Sequence, residues 1–370
     1  MSRKHTYTAV TIFLCILLFT FSNIALAFYT SDLAGTWYGH QIVSGDVPAD
    51  DPRWGYGTVV IDNSGNYTAT WTSPTQTNEV STGTVQINLN GIITIDNQPL
   101  TNGAMNDTKN QIVFIDGTPQ SGGNALIILN KRTSATPFSV SDLEGTWHGH
   151  QIVSGDHPND DLRWGYGTAI IDDFGNYTST WTSPTQSNEV SSGSIQINGD
   201  GIVTIDNQSL NHGVINDAKD QIVFIDGTPQ NQGNGLIILT RRAAGTNFGT
   251  SDLTGTWYGH QVVSGDAPND DPRWGYGTVE IDDSGNYTST WASPTQAGEV
   301  SSGSIQINAG GIITIDNQSL THGVMNDAKD QFVFIDGTSQ SGGNALLVFI
   351  RHTSQSLPGA YHMLLEDTAP

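Results

Sequence analysis

Gly35-Thr36-Trp37-Tyr38-Gly39-His40-Gln41 returns as Gly145-Thr146-Trp147-His148-Gly149-His150-Gln151 and as Gly255-Thr256-Trp257-Tyr258-Gly259-His260-Gln261. The spacing is a constant 110 residues, and the likeness continues well past each stretch. The 370-residue chain is therefore one unit used three times. Each unit is long enough to bury its own core, unlike the shorter repeats of solenoids. The boundaries follow: repeats over 28–137, 138–247 and 248–353, with Phe28, Phe138 and Phe248 at equivalent starts. The tail 354–370 matches no unit and is expected to fray.

Residues 1–27 have the pattern of an export signal. Arg3 and Lys4 precede an apolar run from Ala9 to Phe21, and Ala25-Leu26-Ala27 supplies small residues for cleavage after Ala27. The expected location is outside the cell, in the periplasm or at the cell surface. The only cysteine, Cys15, lies inside this leader, so the mature chain is expected to carry no disulfide.

Acidic residues outnumber basic ones 36 to 13, giving a formal charge of −23. Such a surface repels nucleic acid and anionic lipid, and neither is an expected partner. After signal cleavage nothing is expected to be embedded in a membrane. The acid is mainly Asp, and Gly, Asn, Ser and Thr are abundant, which suits turns and strands. No run has helical period, so the class is all-β.

Within the first unit eight strands can be read. The first is Thr36 to Val43, after which Gly45-Asp46 and Pro48 break the pattern. The second, Trp54 to Asp62, and third, Asn66 to Ser73, flank Asn63-Ser64-Gly65, which suits a three-residue turn with a left-handed glycine. That register pairs Ile61 with Tyr67, Val59 with Ala69, and Gly57 with Trp71 on a core face. The opposite face carries Trp54, Tyr56, Thr58 and Val60. Glu280 replaces Val60 in the third unit, and an unpaired buried carboxylate is costly. This face, with Trp54 and Tyr56, is expected to be wet.

Gly83 to Asn88 and Ile92 to Asp96 form a second hairpin, and a short sixth strand surrounds Gly103 to Met105. Gln111 to Ile115 and Ala125 to Leu129 are apolar on both faces. A solitary barrel wall would be wet outside, so a neighbouring unit is expected to cover this pair. The expected architecture is three tandem up-and-down β-barrels of about 110 residues, packed together. The alternative is a six-bladed propeller, whose face-to-face blades the polar faces of the second to fifth strands resist.

Gly35-Thr36-Trp37 on the first strand, with Lys131-Arg132 past the last, resembles the calycin pattern of lipocalins and avidins. That resemblance implies a tryptophan on strand one capped by a basic side chain from the far end of the unit. The matching residues are Trp37, Trp147 and Trp257 with Lys131, Arg241 and Arg351. The resemblance covers the two ends of each unit and does not extend to ligand type.

The loop around Asp46-x-Pro48-x-Asp50-Asp51-x-Arg53-Trp54 keeps its Asp, Arg and Trp in every copy. Calcium takes oxygen ligands from flexible loops, so the candidate metal ligands are Asp46, Asp50, Asp51, Asp156, Asp160, Asp161, Asp266, Asp270 and Asp271. A plain Asp turn paired with Arg53 explains the same residues. No other cofactor is expected. Beside the loop, wet aromatic rings suit stacking on a sugar. The candidate ligand residues are Trp54, Tyr56 and Arg53; Trp164, Tyr166 and Arg163; and Trp274, Tyr276 and Arg273. The expected function is an exported, non-enzymatic, multivalent binding protein for a glycan or another cell-surface ligand. A structural surface protein is the alternative. A hydrolase using His40, or Glu79 with an Asp, ranks third.

Overall fold

The computed structural model describes residues 27–352, apart from 47–52, 74–75, 97–100, 118–122, 134–135, 155–162, 184–185, 207–210, 228–233, 265–272, 294–296, 317–320 and 338–343. The leader through residue 26 and the tail from residue 353 lie outside the described residues.

The first unit runs β1 (Gly35–Asp46), β2 (Arg53–Ile61), β3 (Asn66–Thr72), β4 (Glu79–Ile87), β5 (Ile92–Ile95), β6 (Thr101–Met105), β7 (Gln111–Asp116) and β8 (Gly123–Arg132). Each strand pairs antiparallel with the next, and β8 returns to β1, closing a barrel. The second unit repeats this as β9 (Gly145–Ser154), β10 (Arg163–Ile171), β11 (Asn176–Thr182), β12 (Glu189–Ile197), β13 (Ile202–Ile205), β14 (Asn211–Ile215), β15 (Gln221–Asp226) and β16 (Asn234–Arg242). The third is β17 (Gly255–Ser264), β18 (Arg273–Ile281), β19 (Asn286–Ala292), β20 (Ala297–Ile307), β21 (Ile312–Ile315), β22 (Thr321–Met325), β23 (Gln331–Asp336) and β24 (Asn344–Arg351). These are three closed eight-stranded barrels, not propeller blades.

The β2–β3 register is the one the turn implies: Ile61 opposite Tyr67, Val59 opposite Ala69, Gly57 opposite Trp71. Gly65 has φ +85°, as a left-handed turn glycine must. At Gly57 a Cβ would stand 2.1 Å from the Thr70 carbonyl oxygen, so no larger residue fits beside Trp71. Strand β4 starts at Glu79, four residues earlier than the alternation suggests. Glu79 and Val80 pair with Trp71 and Thr70 but stay exposed, so no alternation of buried apolar residues marks them as strand.

One end of each barrel is closed by a single helical turn, Thr30–Leu33 in the first unit. The Trp37 indole donates to the Leu33 carbonyl at 2.7 Å. Lys131 lies over the Trp37 ring at 5.2 Å and donates to the Asp32 carbonyl, while Lys109 pairs with the Asp32 carboxylate at 2.7 Å. Arg241 over Trp147 and Arg351 over Trp257 repeat the cap at 5.8 and 5.5 Å. The barrels are calycin-like in this respect as well as in topology.

The expected cover for the two-sided strands is present. Val113, Ile115, Leu126 and Ile128 point away from their own lumen into a core shared by all three units, with Ile152, Val223, Leu236, Val262, Val333 and Leu346 among the residues they meet. The packing is cyclic. Trp54 sits over Gly227 of the second unit, Trp164 over Gly337 of the third, and Trp274 over Gly117 of the first. Among the described residues no helix is long and apolar enough to cross a membrane, a statement that does not bear on strands.

Cβ atoms added at Gly117, Gly227 and Gly337 would stand 2.5, 2.7 and 2.5 Å from the facing indoles. Gly227→Ala is therefore expected to destabilise the fold by about 1–3 kcal/mol through overpacking. Gly249→Ala, where nothing lies within 4 Å, should be close to neutral. Urea unfolding of the two variants checks the contrast.

Candidate functional site

The wet face expected along β2 exists only at one end. Val60 is 52% exposed, and Glu280 accepts a hydrogen bond from Thr256 in the open. Six residues away, about 20 Å along the strand, Trp54 is 3% exposed. Trp164 and Trp274 are equally buried, and Tyr56, Tyr166 and Tyr276 are partly buried against the shared core. The expectation of exposed Trp and Tyr rings is thus corrected: the neighbouring unit covers that half of the face. The Trp54 and Tyr56 rings are parallel to within 2°, with centroids 5.9 Å apart, and Tyr56 lies flat on His212 of the second unit at 3.9 Å.

The side chains of Arg53, Arg163, Arg273 and Asp46, and the residues Asp50, Asp51, Asp156, Asp160, Asp161, Asp266, Asp270 and Asp271, lie outside the described residues. Among the described residues no group of three or more His, Cys, Asp or Glu is placed to hold a metal ion. His40, the candidate base, is fully buried and shares a 2.9 Å hydrogen bond with His212. Its role is packing between units.

Among the described residues, a concave site lies inside the first barrel. Alternation along its strands turns Val59, Trp71, Ile93, Phe114 and Leu129 inward around a cavity of about 230 Å³. Tyr67, Asp96 and Asp116 add polar groups to its wall. Asp96 is held at φ +49° and accepts from the Thr84 amide at 2.6 Å and from the Tyr67 hydroxyl at 3.2 Å. Gly83 lets the carboxylate approach, since a Cβ there would stand 2.5 Å from both oxygens. Burial, then the charges of Asp96 and Asp116, push the Tyr67 hydroxyl up to about 12. Tyr67 therefore stays a neutral donor at any physiological pH.

The three lumens share this polar set, as Tyr177 with Asp206 and Tyr287 with Asp316, but differ in filling. In the third barrel Phe332 and Phe349 stand where the first has Ile112 and Leu129. Their rings stack at 4.3 Å, and Trp291 meets Phe349 edge-on. In the second and third barrels Ser179 with Ser191 and Ser289 with Ser301 hydrogen-bond across the wall; the first has Ala69 there. The hairpin register puts Tyr67 on the core face, whereas Asp96 just past β5 reads from sequence as a strand end only. The usable signal was the constant interval from each lumen Tyr to its Asp, repeated in all three copies.

No protein-family model matches the chain, and no curated protein matches it. Solved structures with some likeness include a protein of unknown function from the DUF3598 family of Nostoc punctiforme, 12% identical, covering 58% of this chain and 99% of that one at a TM-score of 0.24. A transferrin binding protein B variant from Haemophilus parasuis is 11% identical, covering 85% and 75% at a TM-score of 0.24. Kievitone hydratase from Nectria haematococca is 11% identical, covering 60% and 95% at a TM-score of 0.17. Likeness at this level carries no argument about ligand or activity.

Tyr67, Tyr177 and Tyr287 each have the folded-state value raised from 10 to about 12. Their contribution is fully present below about pH 10 and is lost as pH rises toward about 12. The melting temperature is expected to fall across that window. A Tyr67→Phe, Tyr177→Phe, Tyr287→Phe variant should show a shallower fall, read by circular dichroism.

Proposed function

We propose that this chain is a non-enzymatic binding protein whose ligand is a small, mainly apolar molecule held in the lumen of the first barrel. The carrying observation is the 230 Å³ cavity there, at a place where the third barrel is filled by Phe332 and Phe349. A cavity of about 150 Å³ lined by apolar side chains already admits benzene. Drug-sized ligands use about 300–1,000 Å³, so this ligand is smaller, on the scale of a substituted benzene or a short alkyl chain. Tyr67 offers a hydroxyl donor, and Asp96 and Asp116 offer acceptors, which suits one polar substituent on an otherwise apolar body.

Export supports a role in capturing such a molecule outside the cell, and rests on the leader pattern of residues 1–27. Glycan recognition by stacking on Trp54, Trp164 and Trp274 would need those rings in water, and their burial speaks against it. The lumen is the better supported site.

The test transplants the third barrel's filling into the first. Benzyl alcohol and hexanol, titrated by calorimetry, should bind the native chain and quench the Trp71 fluorescence. An Ile112→Phe, Leu129→Phe variant should lose at least tenfold in affinity while keeping its melting temperature within a few degrees. Equal affinity in both proteins, or no binding by the native chain, would end the lumen reading.

A further inference from the structure

Cyclic packing creates three seams of one design. Between the first and second units, Arg132 lies over Phe138 at 3.9 Å and pairs with Asp217 at 3.2 Å. Deeper in the same seam, His40 and His212 share their hydrogen bond under the Tyr56 ring. The seam between the second and third units repeats every part. Arg242 lies over Phe248 at 3.9 Å and meets Asp327 at 3.3 Å. His150 and His322 are 2.9 Å apart, with Tyr166 stacked on His322 at 4.1 Å.

The third seam, between the third unit and the first, departs at both places. His352 stands in the position of Arg132 and Arg242, stacked on Phe28 at 5.2 Å. Asn102 stands in the position of His212 and His322, its oxygen 3.3 Å from His260 Nε2. This seam also lacks a connecting peptide. Residues 133–137 join the first unit to the second and 243–247 join the second to the third, whereas Phe28 and His352 lie at opposite ends of the repeat array.

We infer that this third seam is a releasable joint: it parts in mild acid, and the faces it frees, that of Trp274 on the third unit and that of Gly117 on the first, pair with the complementary faces of a second copy of this chain.

Buried neutral histidines set the acid response. Burial, then the partner histidine, holds His40 and His150 far below the ordinary value. Burial brings His212 down to about 4, His322 to about 4 and His260 to about 3. Their separated-state value is about 6.5. Each therefore contributes stability that is complete above about pH 6.5 and is lost as pH falls toward 4. All three seams weaken in acid, so what distinguishes them is what else holds each one.

The first two seams keep an arginine–aspartate pair, and a short linker that holds the faces at high effective concentration. The third has no linker and, among the described residues, His352 in place of the arginine. His260 faces Asn102, Tyr276 across the β17–β18 ladder, and the charge of His352. His352 faces Phe28, Tyr258 at 4.6 Å, the Asn90 and Met105 backbone, and Asp107. Asp107 and the two backbone groups favour a charged His352, but burial outweighs them and its value is lowered.

The occupant follows from the geometry of the faces. They are heterologous, an indole on one and a glycine hollow on the other, matched as Trp54 is to Gly227 and Trp164 to Gly337. Faces of this kind that fail to close within one chain close between chains, as rings or open runs of copies.

Sedimentation velocity on the full chain, in about 0.15 M salt over a tenfold concentration range, tests this. The pH is lowered from about 7.5 to about 5, staying above the isoelectric point near 4.4. A monomer at the upper limit and a reversible, concentration-dependent mass of at least twice the monomer at the lower limit are expected. His352→Arg, which copies the other two seams, should move the midpoint down by about one pH unit. Asp107→Asn, which removes the carboxylate favouring charged His352, should move it up. A monomer at every pH overturns the inference. So does association whose midpoint is the same in the native chain and in whichever of these variants folds, since simple loss of net charge would act on all of them alike.

Discussion

Strands that are apolar on both faces are the constraint from which the rest of this molecule follows. In β7 and β8, Ile112, Phe114 and Leu129 point into the barrel, while Val113, Ile115, Leu126 and Ile128 point out of it. A lone barrel would present that second set to water. Burying each such side chain is worth about 1.5–3 kcal/mol, whereas the largely buried seam ion pairs offset much of their attraction with desolvation. The apolar faces therefore hold the three units together. The arginine–aspartate and histidine contacts at the seams act on which arrangement forms and on how it responds to pH.

Strand alternation separates two kinds of change. An inward substitution alters one lumen, and an outward one alters a seam. Between the first and third units Ile112 becomes Phe332 and Leu129 becomes Phe349 on the inner side. The adjacent outward positions stay aliphatic, Val113 with Val333 and Ile128 with Val348. The units can thus diverge inside while the joint core is preserved. One barrel keeping a cavity while another is filled needs no change in the packing between units.

The repeat made most of the fold readable. Three copies made the β2–β3 hairpin register and the need for a cover over β7 and β8 legible, because both depend on local pattern. The calycin resemblance led to the Trp37–Lys131 cap, which joins residues at the two ends of a unit. The error lay in extending one observation along a strand. Glu280 marks its own end of β18 as wet, and Trp274 lies six residues away under another unit. Burial between units depends on which residues of a distant copy arrive opposite, and no periodicity within a strand records that. Asp96 was missed for a related reason: an aspartate at a strand end reads as turn chemistry, and only the closed barrel brings it to Tyr67.

Polar groups at the centre show how a ring of near-identical units can hold one register. Gln111 donates to Gln221, and Gln221 donates to Gln331 at 2.9 Å, all three buried at the starts of β7, β15 and β23. Gln111 also donates to Asn130 at 2.9 Å, where the later units have Thr240 and Ile350. The line is directional and its members are not interchangeable. A slide of one barrel by a residue would put an amide against aliphatic side chains, and a buried amide without a partner costs about 1–3 kcal/mol. The Trp–Gly matches at the seams already resist such a slide, although the Ile and Val surfaces fit one another in several registers. The glutamines penalise it, so the shared core supplies the attraction and a few buried amides restrict the positions in which it can be satisfied.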